Sequence, residues 1–436
     1  MATERYPHLK VTDPTVYNLI LQQEALERST LKMIASENFA SFSVLEATGS
    51  PLTNKYAEGY PAARYYEGNA VIDEIEDLAI TRLKALFGAE HVNVQCLSGS
   101  PANQAVYRAV MKPGDKVMGI PVSEGGHLTH GWKVNFSGKD YLQVPYGPNP
   151  ETGILDYDQI REIALKERPR MIWCGTTAYP RTIHYDKFAE IATEIEAYLV
   201  ADIAHISGLI AGGVHPNPVP YCDLVSSTTH KMLRGPRSGF ILSRVEDRYQ
   251  QKYYADSKLN LAKRIDRAIF PGLQGGPHMN VIAAMAVAFK EASEDSFKVY
   301  AQQVVKNAQT LGAYLQEAGI HLACGGTDTH LLLLDFRAEE FTGKDVSQAL
   351  ARAGIICNFN MVPGDQRKPM VTSGVRMGTP GITSMGMKED DMKKVAEWIT
   401  RVVRSIHTET AESVEKAVAA EIADYTKSFK VPGLSD

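Results

Sequence analysis

The chain has 436 residues, 44% of them apolar and 22% charged, with a formal net charge of −5. That length suits two or three domains around a large core. A mildly acidic balance with scattered lysine and arginine excludes a basic face for nucleic acid. No apolar run approaches the ~18 residues that span a bilayer, so no membrane partner is expected. The polar start MATERYPHLKVTDP has no apolar signal core. Five cysteines, an odd number with no CxxC pair, read as reduced thiols of a cytoplasmic protein rather than a disulfide framework or zinc site.

Residues 1–30 read as a helical arm. Ile72, Ile75, Leu78, Ala79, Leu83 and Leu86 recur at helical spacing, and Gly88 stops that helix. Short strand-like runs follow: HVNVQ, DKVMGI, RMIWCG, AYLVADIAH, DLVSS and GFILS. Helix-compatible or turn-rich segments separate most of them. This is an α/β pattern with a largely parallel sheet, buried on both faces. After about residue 280 the texture changes. Val304, Val305, Ala308, Leu311 and Leu315 mark one long helix, and Met392, Val395, Ile399, Val402 and Ile406 another, with the strand THLLLLDF between them. The expected division is a large domain over 31–290 and a smaller α+β domain over 291–436.

Ligands of such sheets bind at the carboxyl ends of strands. Lys231 lies at one, behind Ser226, Ser227, Thr228, Thr229 and His230. A lysine there can serve a phosphate, a carboxylate, or a carbonyl through a Schiff base. The GxxxxGK[ST] phosphate loop is absent around it. Asp202 ends a strongly apolar strand, where it either caps a helix or holds the ring nitrogen of pyridoxal phosphate protonated. His205 either orients Asp202 or a cofactor oxygen, or is a core histidine. Ser98, Gly99 and Ser100 precede a helix and form an anion site or an ordinary cap. His127 follows two glycines, where a ring stacks on a flat cofactor. Its neighbour His130 raises a metal site, set aside because no acid or cysteine lies nearby in sequence. Arg376, in a glycine-bounded strand, suits a substrate carboxylate or a structural ion pair. Together these residues describe a pyridoxal phosphate site for an amino acid.

LKMIASENFAS, LTNKYAEGYP, SGSPAN, GGHLTHG, ADIAHISGL, TTHKMLRGPR, FPGLQGGPH and VRMGTP, in order from about residue 30 to 385, resemble the serine hydroxymethyltransferases. The resemblance implies a fold-type-I pyridoxal-phosphate enzyme with a mostly parallel seven-stranded sheet. It implies a homodimer or dimer of dimers whose active site is shared between subunits, with a small amino acid and tetrahydrofolate as substrates. Lys231 is similar to the Schiff-base lysine, Asp202 to the partner of the ring nitrogen, His127 to the stacking ring, and His205 to the neighbour of the phenolic oxygen. Ser98, Gly99 and Ser100 resemble phosphate ligands, joined by Gly275 and Gly276 of the other subunit. Thr177 and Thr228 fall in the cofactor-binding set, and His230 matches the histidine before the lysine. Ser36 and Arg376 resemble carboxylate ligands, and Asn360 a folate ligand. Tyr56, Glu58 and Tyr66 resemble residues delivered by the other subunit, with Glu58 a proton shuttle whose task favours burial and a raised pKa.

Some positions depart from the family pattern: Glu67, Ala70-Val71, Leu97, Met232, Phe359 and Met385. Their expected location is the substrate and folate walls, with drift or an altered substrate as the two readings. The alternatives are an α-methylserine hydroxymethyltransferase yielding D-alanine and a folate-independent β-hydroxy amino acid aldolase. The retained Glu58, Tyr66 and Asn360 favour folate. A non-catalytic protein of this fold is disfavoured by the joint presence of Lys231, Asp202 and Glu58.

Overall fold

A computed structural model describes residues 5–434. Seven strands form the main sheet: β1 (His91–Asn93), β2 (Lys116–Gly119), β3 (Leu142–Pro145), β4 (Met171–Cys174), β5 (Tyr198–Asp202), β6 (Leu224–Thr228) and β7 (Gly239–Ser243). Their spatial order is β1-β7-β6-β5-β4-β2-β3. All pairings are parallel except the two made by β7. Because β7 runs against both neighbours, β1 points the same way as β6, and the ends of β1, β2, β4, β5 and β6 share one edge. The six strand-like runs of the sequence all form strands. The seventh, β3, is an edge strand with Leu142 exposed.

Helix Ala70–Phe87 forms where the apolar spacing predicts it. Ile72, Ala79, Leu83 and Phe87 are buried along one face, each large side chain contributing about 1.5–3 kcal/mol. Gly88, at φ 70°, ends it in the left-handed conformation. Helix Met279–Ala292 packs alongside it.

A second core lies behind a four-stranded antiparallel sheet of order β8-β9-β11-β10, made of β8 (His321–Leu322), β9 (Leu331–Asp335), β10 (Asn358–Asn360) and β11 (Gly374–Gly378). Helices Asp295–Glu317 and Glu389–Ser405 cover it with Leu311, Leu315, Val395, Trp398, Ile399 and Val402. The segment from Leu31 to Phe39, read from sequence as large-domain chain, is part of this second core. Leu31 and Lys32 pair in parallel with Ile355 and Ile356, and Leu31, Met33 and Phe39 are buried there. The reason is local: an apolar Leu-x-Met beside an unpaired Ile-Ile edge closes that edge.

Candidate active site

At the shared strand edge the loops converge on a cleft of about 580 Å³. Ser98, Gly99 and Ser100 reach it after β1, His127 after β2, Thr177 after β4, His205 after β5, Thr228 at the end of β6, and His230 and Lys231 after it. Ser36 and Arg376 close it from the second layer.

Helix Gly99–Val110 begins at the cleft with Ser98 at its N-cap. The Ser98 side chain caps none of the helix's free N–H groups, so those of the first turn stay available to an anion. A Cβ on Gly99 would come within 2.7 Å of Thr228 Cγ2; only glycine lets this helix end approach β6. The buried Thr228 hydroxyl has no hydrogen-bond partner among the described residues. A helix N-terminus facing an orphaned hydroxyl fits a phosphate.

Asp202 is fixed from three sides. Asn103 Nδ2 lies 2.9 Å and His130 Nε2 3.2 Å from its Oδ2, and the Ala204 N–H donates to Oδ1 at 3.1 Å. Burial alone would raise its pKa. The hydrogen bond and charge of His130 and the Asn103 amide outweigh that and hold the carboxyl below its ordinary range. A permanently ionised, immobile carboxylate is what a protonated ring nitrogen needs.

The histidine that bonds Asp202 is therefore His130; of the alternatives open for His205, orienting Asp202 is not the one observed. His130 is buried and stacked on Trp173, ring centroids 5.0 Å apart. His127, His130 and Asp202 bring three ligand atoms within 4.8 Å of one another. The acid missing from the sequence neighbourhood of the two histidines is thus supplied by the fold. His205 instead places Nδ1 3.4 Å from His330 Nε2, the rings nearly parallel. Burial lowers the pKa of His127 to about 4 and of His230 to about 3, and puts His205 well below the usual histidine range. All three are neutral at pH 7.

Lys231 has no hydrogen bond or ion pair on its amine among the described residues. Burial lowers its pKa to about 8, against the pull of Asp202 and with the push of Arg376 and Arg237. Arg376 donates to Asn358 Oδ1 at 3.2 Å and to the Thr177 carbonyl at 2.7 Å. No carboxylate pairs with it among the described residues, which removes the structural ion pair as its explanation. Burial lowers even this guanidinium to about 10. A half-buried arginine facing a cleft with no carboxylate partner among the described residues suits an anion.

Tyr56, Glu58, Tyr66, Gly275 and Gly276 do not line this cleft. They form a cluster of their own. The Tyr66 hydroxyl donates to Glu58 Oε2 at 3.2 Å, and the Tyr56 and Tyr66 rings meet edge to face at 5.4 Å. Cβ atoms built on Gly275 and Gly276 would lie 3.1 Å from Glu58 Oε1 and 3.0 Å from the Tyr56 ring. Buried Arg64 donates to the carbonyls of both Ala57 and Gly59 at 2.9 Å and pairs with Glu76 and Asp73. Glu58 thus sits on a clamped loop. Within one chain it is half-buried, not buried as its expected role suggested, although its neighbours Ala57 and Gly59 are buried. Asn360, at the end of β10, donates to the Met361 carbonyl and is not part of the cleft lining.

Within one chain the departures do not line this cleft. Met232 and Met385 are buried in the two cores, where an unbranched thioether packs among apolar side chains. Glu67 and Leu97 are exposed and Phe359 is half-buried; none of the five lines the cleft. Among the described residues no helix is long and apolar enough to cross a membrane.

Residues 9–399 match the family model for serine hydroxymethyltransferase. The chain is 60% identical to "Serine hydroxymethyltransferase 2" of Mesorhizobium japonicum, covering 97% of this chain and 96% of that protein. It is 50% identical to the serine hydroxymethyltransferases of Sorangium cellulosum and Acidothermus cellulolyticus, each over 98% of this chain and 97% of the relative.

Proposed function

The chain belongs to the serine hydroxymethyltransferase family, and on that premise we propose the part each of its residues takes. It is a pyridoxal-phosphate-dependent hydroxymethyltransferase, moving the serine hydroxymethyl group reversibly to tetrahydrofolate and leaving glycine. When bound, pyridoxal phosphate supplies an electron sink for the pair left on Cα as the Cα–Cβ bond breaks. Lys231 would hold the cofactor through its aldehyde, a bond that a neutral amine can make. Asp202 keeps a proton on the ring nitrogen. His127 covers the ring face, and His205 attends the phenolic oxygen. Ser98, Gly99, Ser100 and Thr228 hold the phosphate, and Thr177 borders the cofactor beside Arg376. Arg376 and Ser36 take the carboxylate. His230, neutral and with an unpartnered buried Nδ1 among the described residues, handles a proton beside Lys231. The observation that carries this reading is one cleft lined by a lysine and an arginine that no carboxylate pairs with among the described residues, together with the carboxylate of Asp202 fixed by Asn103, His130 and the Ala204 N–H.

Serine is the substrate of this reading, in keeping with the family to which the chain belongs. Glycine added to the loaded enzyme is expected to raise a long-wavelength absorption band that tetrahydrofolate strengthens. D-alanine should give little. A strong band with D-alanine and a weak one with glycine would instead establish the α-methylserine reaction.

Tyr56, Glu58, Tyr66, Gly275 and Gly276 act on the cleft of a second copy, in a homodimer or dimer of dimers, with Glu58 exchanging the hydroxymethyl proton and Asn360 meeting folate. Their clustering away from Lys231 supports this. Glu58→Gln should keep the cofactor and cripple transfer, by a factor of about 10²–10⁴. Subunit exchange between Glu58→Gln and Lys231→Ala dimers should then restore about a quarter of native sites, since each hybrid carries one intact site. No recovery would put Glu58 and Lys231 of one chain in the same site. The division near residues 30 and 290 is kept, with 31–39 as a strap on the smaller domain. The five free cysteines support a cytoplasmic setting.

A further inference from the structure

The motif SENFAS supplies Ser36 to the cleft, yet its best-connected residue is Asn38, which that reading leaves without a task. A carboxamide offers two donors and two acceptor lone pairs, and Asn38 uses all four. Nδ2 donates to the Lys231 carbonyl at 3.1 Å and to the Tyr300 hydroxyl at 2.7 Å. Oδ1 accepts from Ser384 Oγ at 2.7 Å and from the Phe39 N–H at 2.9 Å. A backbone N–H only donates, so the Phe39 contact fixes which end of the amide is oxygen and which end faces Lys231.

The four partners come from different parts of the fold. Lys231 follows β6 of the large sheet. Tyr300 belongs to helix Asp295–Glu317, and its ring also carries the Arg234 guanidinium 4.2 Å from the centroid. Ser384 ends the short helix Pro380–Ser384, which follows the strand bearing Arg376. One side chain therefore ties the main chain of the lysine to the layer that carries the carboxylate receptor. The Lys231 amine has no partner of its own, so its position depends on what holds its backbone. The Lys231 carbonyl has one further donor, the Arg234 N–H at 3.2 Å, which lies in the same turn and cannot anchor that turn to anything else.

We infer that Asn38 is a positioning residue for Lys231, setting the lysine against the cofactor aldehyde from the second layer of the fold. The inference rests on Lys231 being the lysine that bonds the cofactor. Asn38→Asp keeps the size and both acceptor contacts and removes both donors. It should weaken retention of pyridoxal phosphate by about tenfold, the worth of roughly one hydrogen bond, and shift the pH midpoint of the visible band of the loaded enzyme. Ser384→Ala leaves the Lys231 contact in place but loosens the amide; it should shift the midpoint the same way and less far. The cofactor-free variants should melt within a few degrees of the parent. A role confined to stability would move melting and leave the midpoint alone, and that result overturns the inference. Should Asn38→Asp fail to fold, an unchanged midpoint in Ser384→Ala overturns it equally, and a shifted one supports it. Borohydride reduction of the parent, followed by peptide mapping, separates the two claims. Label on Lys231 with an unmoved midpoint in the variants rejects only the role of Asn38. Label on another lysine rejects the Lys231 reading and this inference with it.

Discussion

Lys231→Ala is expected to fold, to bind pyridoxal phosphate without the visible absorption of the lysine-bound form, and to lose hydroxymethyl transfer by several orders of magnitude. The argument starts from an amine with no partner. A buried ammonium without a counter-ion is costly, and the cost is relieved by losing the proton. That is why burial brings Lys231 from 10.5 to about 8. The sign matters: lowering the pKa of a lysine enlarges its neutral fraction, and only the neutral amine attacks a carbonyl. At pH 7 about one Lys231 in ten is then neutral, where an ordinary lysine has far fewer than one in a thousand. The rate at which cofactor-free parent protein recombines with pyridoxal phosphate should therefore rise with pH to a plateau with a midpoint near 8. A midpoint near 10.5 would mean that the cleft does not activate this lysine. Lys231→Arg should be as dead as the alanine variant, because a guanidinium keeps its charge at any working pH. Visible absorption surviving dialysis in Lys231→Ala would move the assignment to another lysine.

Much of this site was legible because the chemistry follows short runs of sequence. A hydroxyl-rich strand end, a Ser-Gly-Ser helix start and a glycine-bounded arginine each report a local backbone geometry, and the fold needed only to bring strand ends to one edge. What sequence could not supply were the contacts across long separations. His130 was set aside for want of an acid, and the acid was Asp202, on the next strand but one of the sheet. Asn103 showed only as part of a helix start, though its amide is the second clamp on that acid. Edge strand β3 escaped because only Val144 of its four residues is buried, so Leu-Gln-Val-Pro forms no apolar run. Met232 and Met385 sit beside motif residues in sequence and were read as wall positions. In a helix or turn, adjacent side chains point in different directions, and both methionines point into a core. The burial of Glu58 follows from its expected chemistry and not from its sequence neighbourhood; within one chain it is only half-buried.

Asp202→Asn is the second large effect. The substitution keeps the shape of the side chain and removes its charge. In the parent, the carboxylate stays ionised because His130 and Asn103 together outweigh burial. Its charge is therefore constant across the neutral range, and no acidic limb of the pH–rate profile above pH 5 should belong to it. An amide cannot hold a proton on a ring nitrogen, so the electron sink is lost while the phosphate contacts, His127 and Lys231 remain. The expected result is a protein that retains the visible absorption of the lysine-bound cofactor yet loses transfer by several orders of magnitude in single turnover. Asp202→Glu restores the charge but pushes it one methylene further from Asn103 and His130, and it should recover only part of the rate. The separation of spectrum from rate is what distinguishes this role from a helix cap. Loss of a cap would lower stability by about 1 kcal/mol and leave the turnover of the folded fraction intact. Parent-like single turnover in Asp202→Asn would return Asp202 to that structural role and leave the ring nitrogen without a partner in the cleft.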